Sequence, residues 1–496
     1  MRNRPLATRR ALLTGAGALV LASGCSGDPA PTARPTARSS TRTTQEATIF
    51  DLGFEETNRF RPFALVAPGF EAPLDPPADR TDDGFDVDGL PGRLSREGPV
   101  APFAAVTGRV GSGDAAVGLA TPDGDHLLVR WSPRDRRVSL EVRRGGRSRV
   151  LSRHKADLRQ GHSLAFGLCE RQVTALVDTG GGWTPVFTER AKVAAAVDLR
   201  RPDELRRYRY ACAGDVTEPA AGLFGMTGLR DPHLVQNADG TPYERDGQVF
   251  LTWTCAGLGF FQQAHWSVWS LDRARPEEMR LESQLFFRRD GLLLGDHAGQ
   301  LVRDDDRWLV AVSSWGDFAP GSIHVRHTES TADLLTGTHV LETEPTPLPT
   351  KVGSWDPALL RHGDAWQVGF VESPSQDPFD FHPALARTSD RSWWRGLEMV
   401  AAADSLHQCE GPILATVEGD TWLLASDGDG REYPVFDLDG RKVGRLDAPY
   451  PTNIPHPQLV PDPAGGWLMI TFDGTQHAEK VMGYGGHGDV VVMHSV

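Results

Sequence analysis

Between residues 230 and 460, an apolar pair preceded by a short polar or small segment recurs five times. The segments are Arg230-Asp231-Pro232-His233-Leu234-Val235, His297-Ala298-Gly299-Gln300-Leu301-Val302, Trp355-Asp356-Pro357-Ala358-Leu359-Leu360, Cys409-Glu410-Gly411-Pro412-Ile413-Leu414 and Pro455-His456-Pro457-Gln458-Leu459-Val460. Their lead positions are Asp231, Ala298, Asp356, Glu410 and His456, spaced by 67, 58, 54 and 46 residues. Ten to twelve residues after the later four leads, a tryptophan opens an apolar strand at Trp308, Trp366, Trp422 and Trp467. In the first copy an insertion over 237–248 widens the gap, and Phe250-Leu251-Thr252-Trp253 takes that place. β-type self-similarity at about 40–50 residues is the signature of propeller blades, with insertions lengthening individual repeats. The pattern predicts a five-bladed β-propeller over 224–496, with blades starting near 229, 295, 354, 408 and 455 and a last strand over 489–493 closing the ring. The lead residues then face one axial funnel, and the repeated tryptophans are core.

Residues 46–212 show a different rhythm. Alternating segments beginning at His126, Val138, Ser148, Ser163 and Gln172 follow one another closely, separated by turn signals such as Pro122-Asp123-Gly124 and Gly145-Gly146. They predict an antiparallel β-sandwich. The expected fold class is all-β: an N-terminal sandwich followed by the propeller.

The first 45 residues lie outside this scheme. Thr8-Arg9-Arg10 precedes an apolar run that ends at Gly24-Cys25, the layout of an export signal of the twin-arginine type over 1–24. The stretch Leu21-Ala22-Ser23-Gly24-Cys25 resembles a bacterial lipobox, which makes Cys25 the lipidated residue and 25–45, rich in Pro, Thr, Ser and Ala, a flexible tether. The expected location is the outer face of the cytoplasmic membrane or the cell wall, with the membrane touched only through the lipid; without lipidation the protein is secreted.

The chain of 496 residues carries a net charge of −14. The first 45 hold seven arginines and a single acid, Asp28, which leaves −20 on the rest. Nucleic acid and anionic lipid both require basic surface. The balance argues against them and suits a monomer acting on a neutral substrate. Beyond Cys25, the cysteines Cys169, Cys212, Cys255 and Cys409 are scattered, without the pairing of a zinc site. Cys169–Cys212 is the one disulfide confined to the N-terminal unit; Cys255 and Cys409 are expected reduced.

Three carboxylates brought to one funnel have a direct chemical use. Glycosidic cleavage needs one carboxylic acid to protonate the leaving oxygen and one carboxylate to activate water or attack carbon. A third carboxylate nearby keeps the acid protonated by its charge. Asp231, Asp356 and Glu410 supply the three, each beside a proline or Gly-Pro that stiffens the strand entrance. Arg230, His233, His297 and His456 lie within the same segments and are candidate substrate contacts, while His382 and His487 read as structural or loop residues. Trp315 and Trp355, with Phe260 and Phe261, are candidates for a wall on which a sugar ring stacks.

The motifs Arg230-Asp231-Pro232, Trp355-Asp356-Pro357 and Glu410-Gly411-Pro412, in this order, resemble glycoside hydrolase family 43 and its relatives over residues 224–496. That resemblance implies Asp231 as general base, Asp356 as the pKa-modulating carboxylate and Glu410 as general acid in an inverting reaction. It also implies His456 at the channel, beside a calcium ion or water. Its substrates would be arabinan-, galactan- or xylan-type carbohydrates. Ala298 leading the second repeat, and a sandwich that precedes the propeller, depart from the pattern. The sandwich itself resembles concanavalin-like or laminin-G-like jelly rolls. Two other readings stay open: a retaining fructan-type propeller glycosidase, which uses an Arg-Asp-Pro motif, and a non-catalytic, lipid-anchored glycan-binding protein.

Overall fold

The computed structural model describes residues 48–74, 85–478 and 487–496. The expected signal, Cys25 and tether lie outside these residues. From Ala47 to Val496 the chain forms one compact unit, its regular structure nearly all strand, with a propeller-like arrangement of sheets.

Five small sheets follow one another. The first is built on Leu229–Leu234, Gln248–Cys255, His265–Leu271 and Arg280–Arg289, and the second on His297–Asp304, Arg307–Ser313 and Val325–Ser330. The third holds Gly353–His362, Ala365–Gln376, Phe379–Thr388 and Glu398–Ala402, and the fourth Cys409–Val417, Asp420–Asp427, Tyr433–Phe436 and Lys442–Leu446. The fifth holds Gln458–Pro461, Trp467–Asp473 and Asp489–Ser495.

The recurring apolar pair has a simple cause. Successive residues of a strand point to opposite faces, so each member of the pair packs against a different neighbouring sheet. Leu234 joins the core shared with the fifth sheet, and Val235 the core shared with the second. Leu301 and Val302, then Leu359 and Leu360, repeat the arrangement one sheet further on. Leu459 faces the fourth sheet and Val460 the first, so the series of cores closes on itself. Trp308 and Trp366 are buried in these cores as expected, whereas Trp422 and Trp467 are half-buried at the edge of theirs.

Closure is made by a strand from the opposite end of the sequence. Phe54–Phe60 pairs antiparallel with Asp489–Ser495 and completes the fifth sheet. Ile49 and Phe54 insert into the core between the fourth and fifth sheets. The expected boundary at residue 46 is therefore displaced: residues 49–60 belong to the ring, and the N-terminal sheet begins after them.

That sheet is continuous and eleven-stranded. Its two long strands, Phe103–Ala120 and Arg209–Met226, each change partners midway. The first half of Phe103–Ala120 pairs with Ser163–Cys169, and its second half with His126–Ser132. Register shifts at Gly214/Val216 and Thr217/Ala220 mark the turning point. One core, containing Phe103, Val117, Trp131, Leu140, Phe166 and Leu176, joins both runs of strands. The second long strand runs past the expected end at 212 to Met226, which packs into the core of the ring.

The expected Cys169–Cys212 disulfide does not form: Cys169, Cys212, Cys255 and Cys409 are all free and buried. Cys169 pairs with Phe103 and Cys212 with Val117, positions fourteen residues apart on the same long strand. At about 3.3 Å per residue this separates them far beyond the ~7 Å that a disulfide spans.

The pairing of Phe54–Phe60 carries a measurable weight. Phe54→Ala should cost about 3–5 kcal/mol, the range for removing a buried phenyl ring. The midpoint of urea unfolding checks it, since a change of midpoint at constant slope reports stability directly.

Candidate active site

The inner strands of the first four sheets share a backbone irregularity. The register shifts between Arg230 and His233, His297 and Gly299, Trp355 and Ala358, and Glu410 and Ile413. At each shift one residue takes a left-handed conformation: Asp231 at φ 49°, Ala298 at 53°, Asp356 at 50° and Gly411 at 64°. A bulge leaves its extra residue out of the ladder and re-aims the side chain. Pro232, Pro357 and Pro412 follow three of the four residues and have no N–H for the ladder to lose. The freed amides of the later three are taken up by the preceding sheet: Ala298 N donates to Thr254 Oγ1 at 3.2 Å, Asp356 N to Ser313 Oγ at 2.9 Å and Gly411 N to Asp356 Oδ2 at 3.1 Å.

This frame corrects the repeat alignment. Gly411, not Glu410, is the structural counterpart of Asp231, Ala298 and Asp356. Glu410 stands one place earlier, with Arg230, His297 and Trp355. The proline after three of the four bulge residues was the signal, and it also aligns His456-Pro457.

The side chains nevertheless converge. His456 Nε2 lies 3.9 Å from Asp231 Oδ1, 3.7 Å from Asp356 Oδ2 and 4.0 Å from Glu410 Oε1. Asp231 Oδ1 and Glu410 Oε1 are thus no more than 7.9 Å apart, the sum of two of those distances. Asp231, Asp356 and His456 are buried, whereas the Glu410 side chain keeps 19 % of its exposure and stands at the mouth. A Cβ on Gly411 would meet the His456 ring at 2.4 Å, so this close approach requires glycine.

The charges are set by this packing. Burial acts to raise the Asp231 carboxyl, but Arg230, with Nε 3.7 Å away, together with His456, His297 and the Thr254 hydroxyl, brings it below its ordinary value. Asp356 is pushed well above the carboxylate range, by burial first and by the charges of Glu410 and Asp231, against the pull of His456. Burial would depress His456, yet Asp356, Glu410 and Asp231 raise it to about 9. Arg230 lies with its guanidinium 4.7 Å from the Phe472 ring centre and Nη1 3.4 Å from His487 Nδ1.

The remaining candidates occupy supporting places. His297 is buried beside Asp231, its Nε2 3.0 Å from the Phe261 carbonyl and its Nδ1 3.3 Å from Thr254 Oγ1. His233 is buried and lines one narrow cavity together with Asp231, Ala298, Asp356, His456 and Gln458. His382 pairs with Glu372 at 3.6 Å in the third sheet. Trp355 is only 1 % exposed and cannot offer a stacking face; its Nε1 donates to Glu410 Oε2 at 3.2 Å. Trp315, 7 % exposed, packs against Trp355 and Phe261. The outer surface of this aromatic cluster is instead Phe260, Phe261, Phe318 and, stacked on Trp355, the exposed Phe379. Phe318 lies in the loop between Arg307–Ser313 and Val325–Ser330, and Phe379 opens the strand Phe379–Thr388; nothing in the repeat singled them out.

Among the described residues, no group of three or more His, Cys, Asp or Glu side chains is arranged to hold a metal ion. Calcium takes oxygen ligands, so the His456 ring would meet such an ion only through a water.

No family model and no curated protein matches the chain. Solved structures with a similar course include a family 117 glycoside hydrolase of the marine bacterium Zobellia galactanivorans (9 % identity, 54 % of this chain and 84 % of that one, TM-score 0.38). An α-L-arabinanase of Penicillium chrysogenum complexed with arabinobiose gives 11 %, 68 %, 91 % and 0.35, and a GH43_1 enzyme of Xanthomonas citri complexed with xylose 15 %, 54 %, 87 % and 0.38. At these TM-scores the likenesses carry no argument about activity.

A histidine pushed up to about 9 from 6.5 contributes stability that is present in full below about pH 6.5 and lost as pH rises through about 9. Proton NMR of the His456 imidazole should therefore show a midpoint near 9, and Asp356→Asn, which removes the largest raising charge, should move it downward. A midpoint left near 9 in that variant would exclude Asp356 as the cause.

Proposed function

We propose that this chain is a glycoside hydrolase, with the five small sheets acting as the blades of one propeller. The observation that carries the reading is the approach of three carboxylates, from three sheets, to within 4.0 Å of the single His456 Nε2. Structural carboxylates are rarely gathered this way, because burying like charges together destabilises the fold unless function demands it.

The roles follow from the environments. Asp231 stays ionised beside Arg230 and accepts a proton from water as that water attacks the anomeric carbon. Glu410, at the mouth and held by the Trp355 indole, donates a proton to the leaving oxygen as the glycosidic bond breaks. Asp356 and protonated His456 hold the charge balance between them. Proton exchange with solvent returns Asp231 and Glu410 to their starting states. A water between base and acid makes the reaction inverting. The acidic body suits a neutral arabinan-, galactan- or xylan-type substrate, met by a monomer exported and held at the cell surface through Cys25.

Leaving-group dependence separates the roles. Glu410→Ala should lose ~10²–10⁴-fold on a natural glycan, the typical worth of proton transfer, yet keep far more on an aryl glycoside whose phenolate leaves unaided. Asp231→Ala should depress both substrates alike. Proton NMR of the first-formed sugar should show the inverted anomer. A retained anomer would make Asp231 a nucleophile and favour the fructan-type mechanism, and no turnover on any glycan would leave a binding protein.

A further inference from the structure

The N-terminal sheet reaches the site through a buried polar network that the chemistry above does not use. Glu170 stands at the turn between Ser163–Cys169 and Gln172–Asp178, almost wholly buried. Its Oε1 accepts from Arg171 Nε at 3.0 Å and lies 3.2 Å from Arg200 Nη1. Its Oε2 accepts from Gln263 Nε2 at 3.2 Å. Gln263, also buried, belongs to the loop between Gln248–Cys255 and His265–Leu271 of the first small sheet. Its Oε1 accepts both from Arg190 Nη2 at 2.8 Å and from the Phe260 backbone N–H at 2.8 Å. Gln172 adds a second tie, taking Arg190 Nε on its oxygen at 2.9 Å and giving its amide N–H to the Leu258 carbonyl. The loop is folded too tightly for side chains at two places: a Cβ on Gly257 would overlap the Gln263 carbonyl, and one on Gly259 the side chains of Gln172 and Gln263.

On its other side the same loop borders the mouth. Phe261 packs tilted against Trp315 at 4.8 Å between ring centres, and Gln262 Nε2 donates to the Phe318 carbonyl at 3.1 Å. The Phe261 carbonyl takes His297 Nε2 at 3.0 Å, and the other face of that ring reaches Thr254, which also touches Asp231. The path from the N-terminal sheet to the carboxylate is thus unbroken: Glu170 and Arg190 to Gln263, Gln263 to the turn at 260–263, and the Phe261 carbonyl to His297.

We infer that Gln263 is a positioning residue through which the N-terminal sheet fixes the aromatic turn at the mouth and the His297 ring behind Asp231. The role of that sheet is then to hold the rim of the site, not to bind glycan independently. An amide suits the task because it offers an acceptor to the turn and to Arg190 while its N–H satisfies Glu170; a satisfied buried network fixes one geometry where a partial one does not. The activity readout rests on the glycosidase reading, but the structural readout does not.

Amide hydrogen exchange over 256–264 tests the inference in the full protein. Gln263→Ala should speed exchange there by about tenfold or more, while the inner strands carrying the carboxylates stay as protected as before. With a glycan substrate, KM should rise by about tenfold and kcat fall by less than about threefold, as expected for a loosened binding rim around an intact acid and base. Gln263→Glu keeps the acceptor for Phe260 and Arg190 but loses the N–H to Glu170 and sets a second carboxylate against it, so it should recover only part of either loss. Should Gln263→Ala lose protection throughout, Arg190→Ala decides, since it removes the hydrogen bonds to Gln172 and Gln263 and leaves the turn's own hydrogen bonds. Exchange over 256–264 unchanged in either folded variant overturns the inference. Faster exchange in a protein that hydrolyses no glycan sustains the inference and rejects the glycosidase reading instead.

Discussion

Everything at the centre of this molecule depends on a backbone twist repeated at the top of four inner strands. A left-handed residue in a strand is costly for any side chain but glycine, on the order of 1–3 kcal/mol. The cost is tolerated because Thr254, Ser313 and Asp356 each accept the amide that the bulge frees in the next sheet. The same contacts fix the angular position of one sheet against the next. Asp356 therefore has two tasks, holding the Gly411 amide and facing His456, and its carboxyl cannot move for one without disturbing the other.

The electrostatics follow from that geometry. Three acids brought together in a buried space would repel one another, and the structure answers in three ways: Arg230 keeps Asp231 ionised, burial and its neighbours push Asp356 up, and His456 holds a positive charge among them. The result is that two like residues are held apart in charge, Asp231 toward its ionised form and Asp356 toward its neutral one. Trp355 and Trp315, which the repeat suggested as a wall for sugar, are sunk behind the acids, and the surface they support passes to Phe379 and the phenyl rings around it.

Much of this was legible in the sequence because strand periodicity and ring symmetry act together. Each apolar pair must serve two cores, so it recurs at Leu234-Val235, Leu301-Val302 and Leu359-Leu360 whatever the loops between do. The acids stood out for being polar at places where the repeat is otherwise uniform. Glu410 was aligned one residue off because glycine replaces the acid at the bulge itself, and only the proline keeps the frame. Phe54–Phe60 escaped notice because, as the outer strand of its sheet, it buries one residue fully and presents charged ones elsewhere. The long strand Phe103–Ala120 carries Gly-Ser-Gly-Asp over 111–114 where it turns, which breaks the alternation that marks a strand, and it was not among the predicted elements. The Gln263 network was invisible for a different reason: glutamine, glutamate and arginine distant in sequence announce nothing until the fold brings them together.

The pairing of Phe54–Phe60 with Asp489–Ser495 also governs when the protein can become a protein. Thr57 and Val492 touch across a separation of 435 residues, and contacts that distant form only after the entropy of a very large loop has been overcome. Until then the fifth sheet lacks its outer strand and the core between the fourth and fifth sheets lacks Ile49 and Phe54. A growing chain can assemble the first four sheets as they emerge, but it remains an open arc with an uncovered edge, a surface prone to pairing with other chains. The acids on the early sheets thus exist in the nascent polypeptide well before His456 arrives to balance them, and the centre acquires its working charge state last, in the same event that seals the ring.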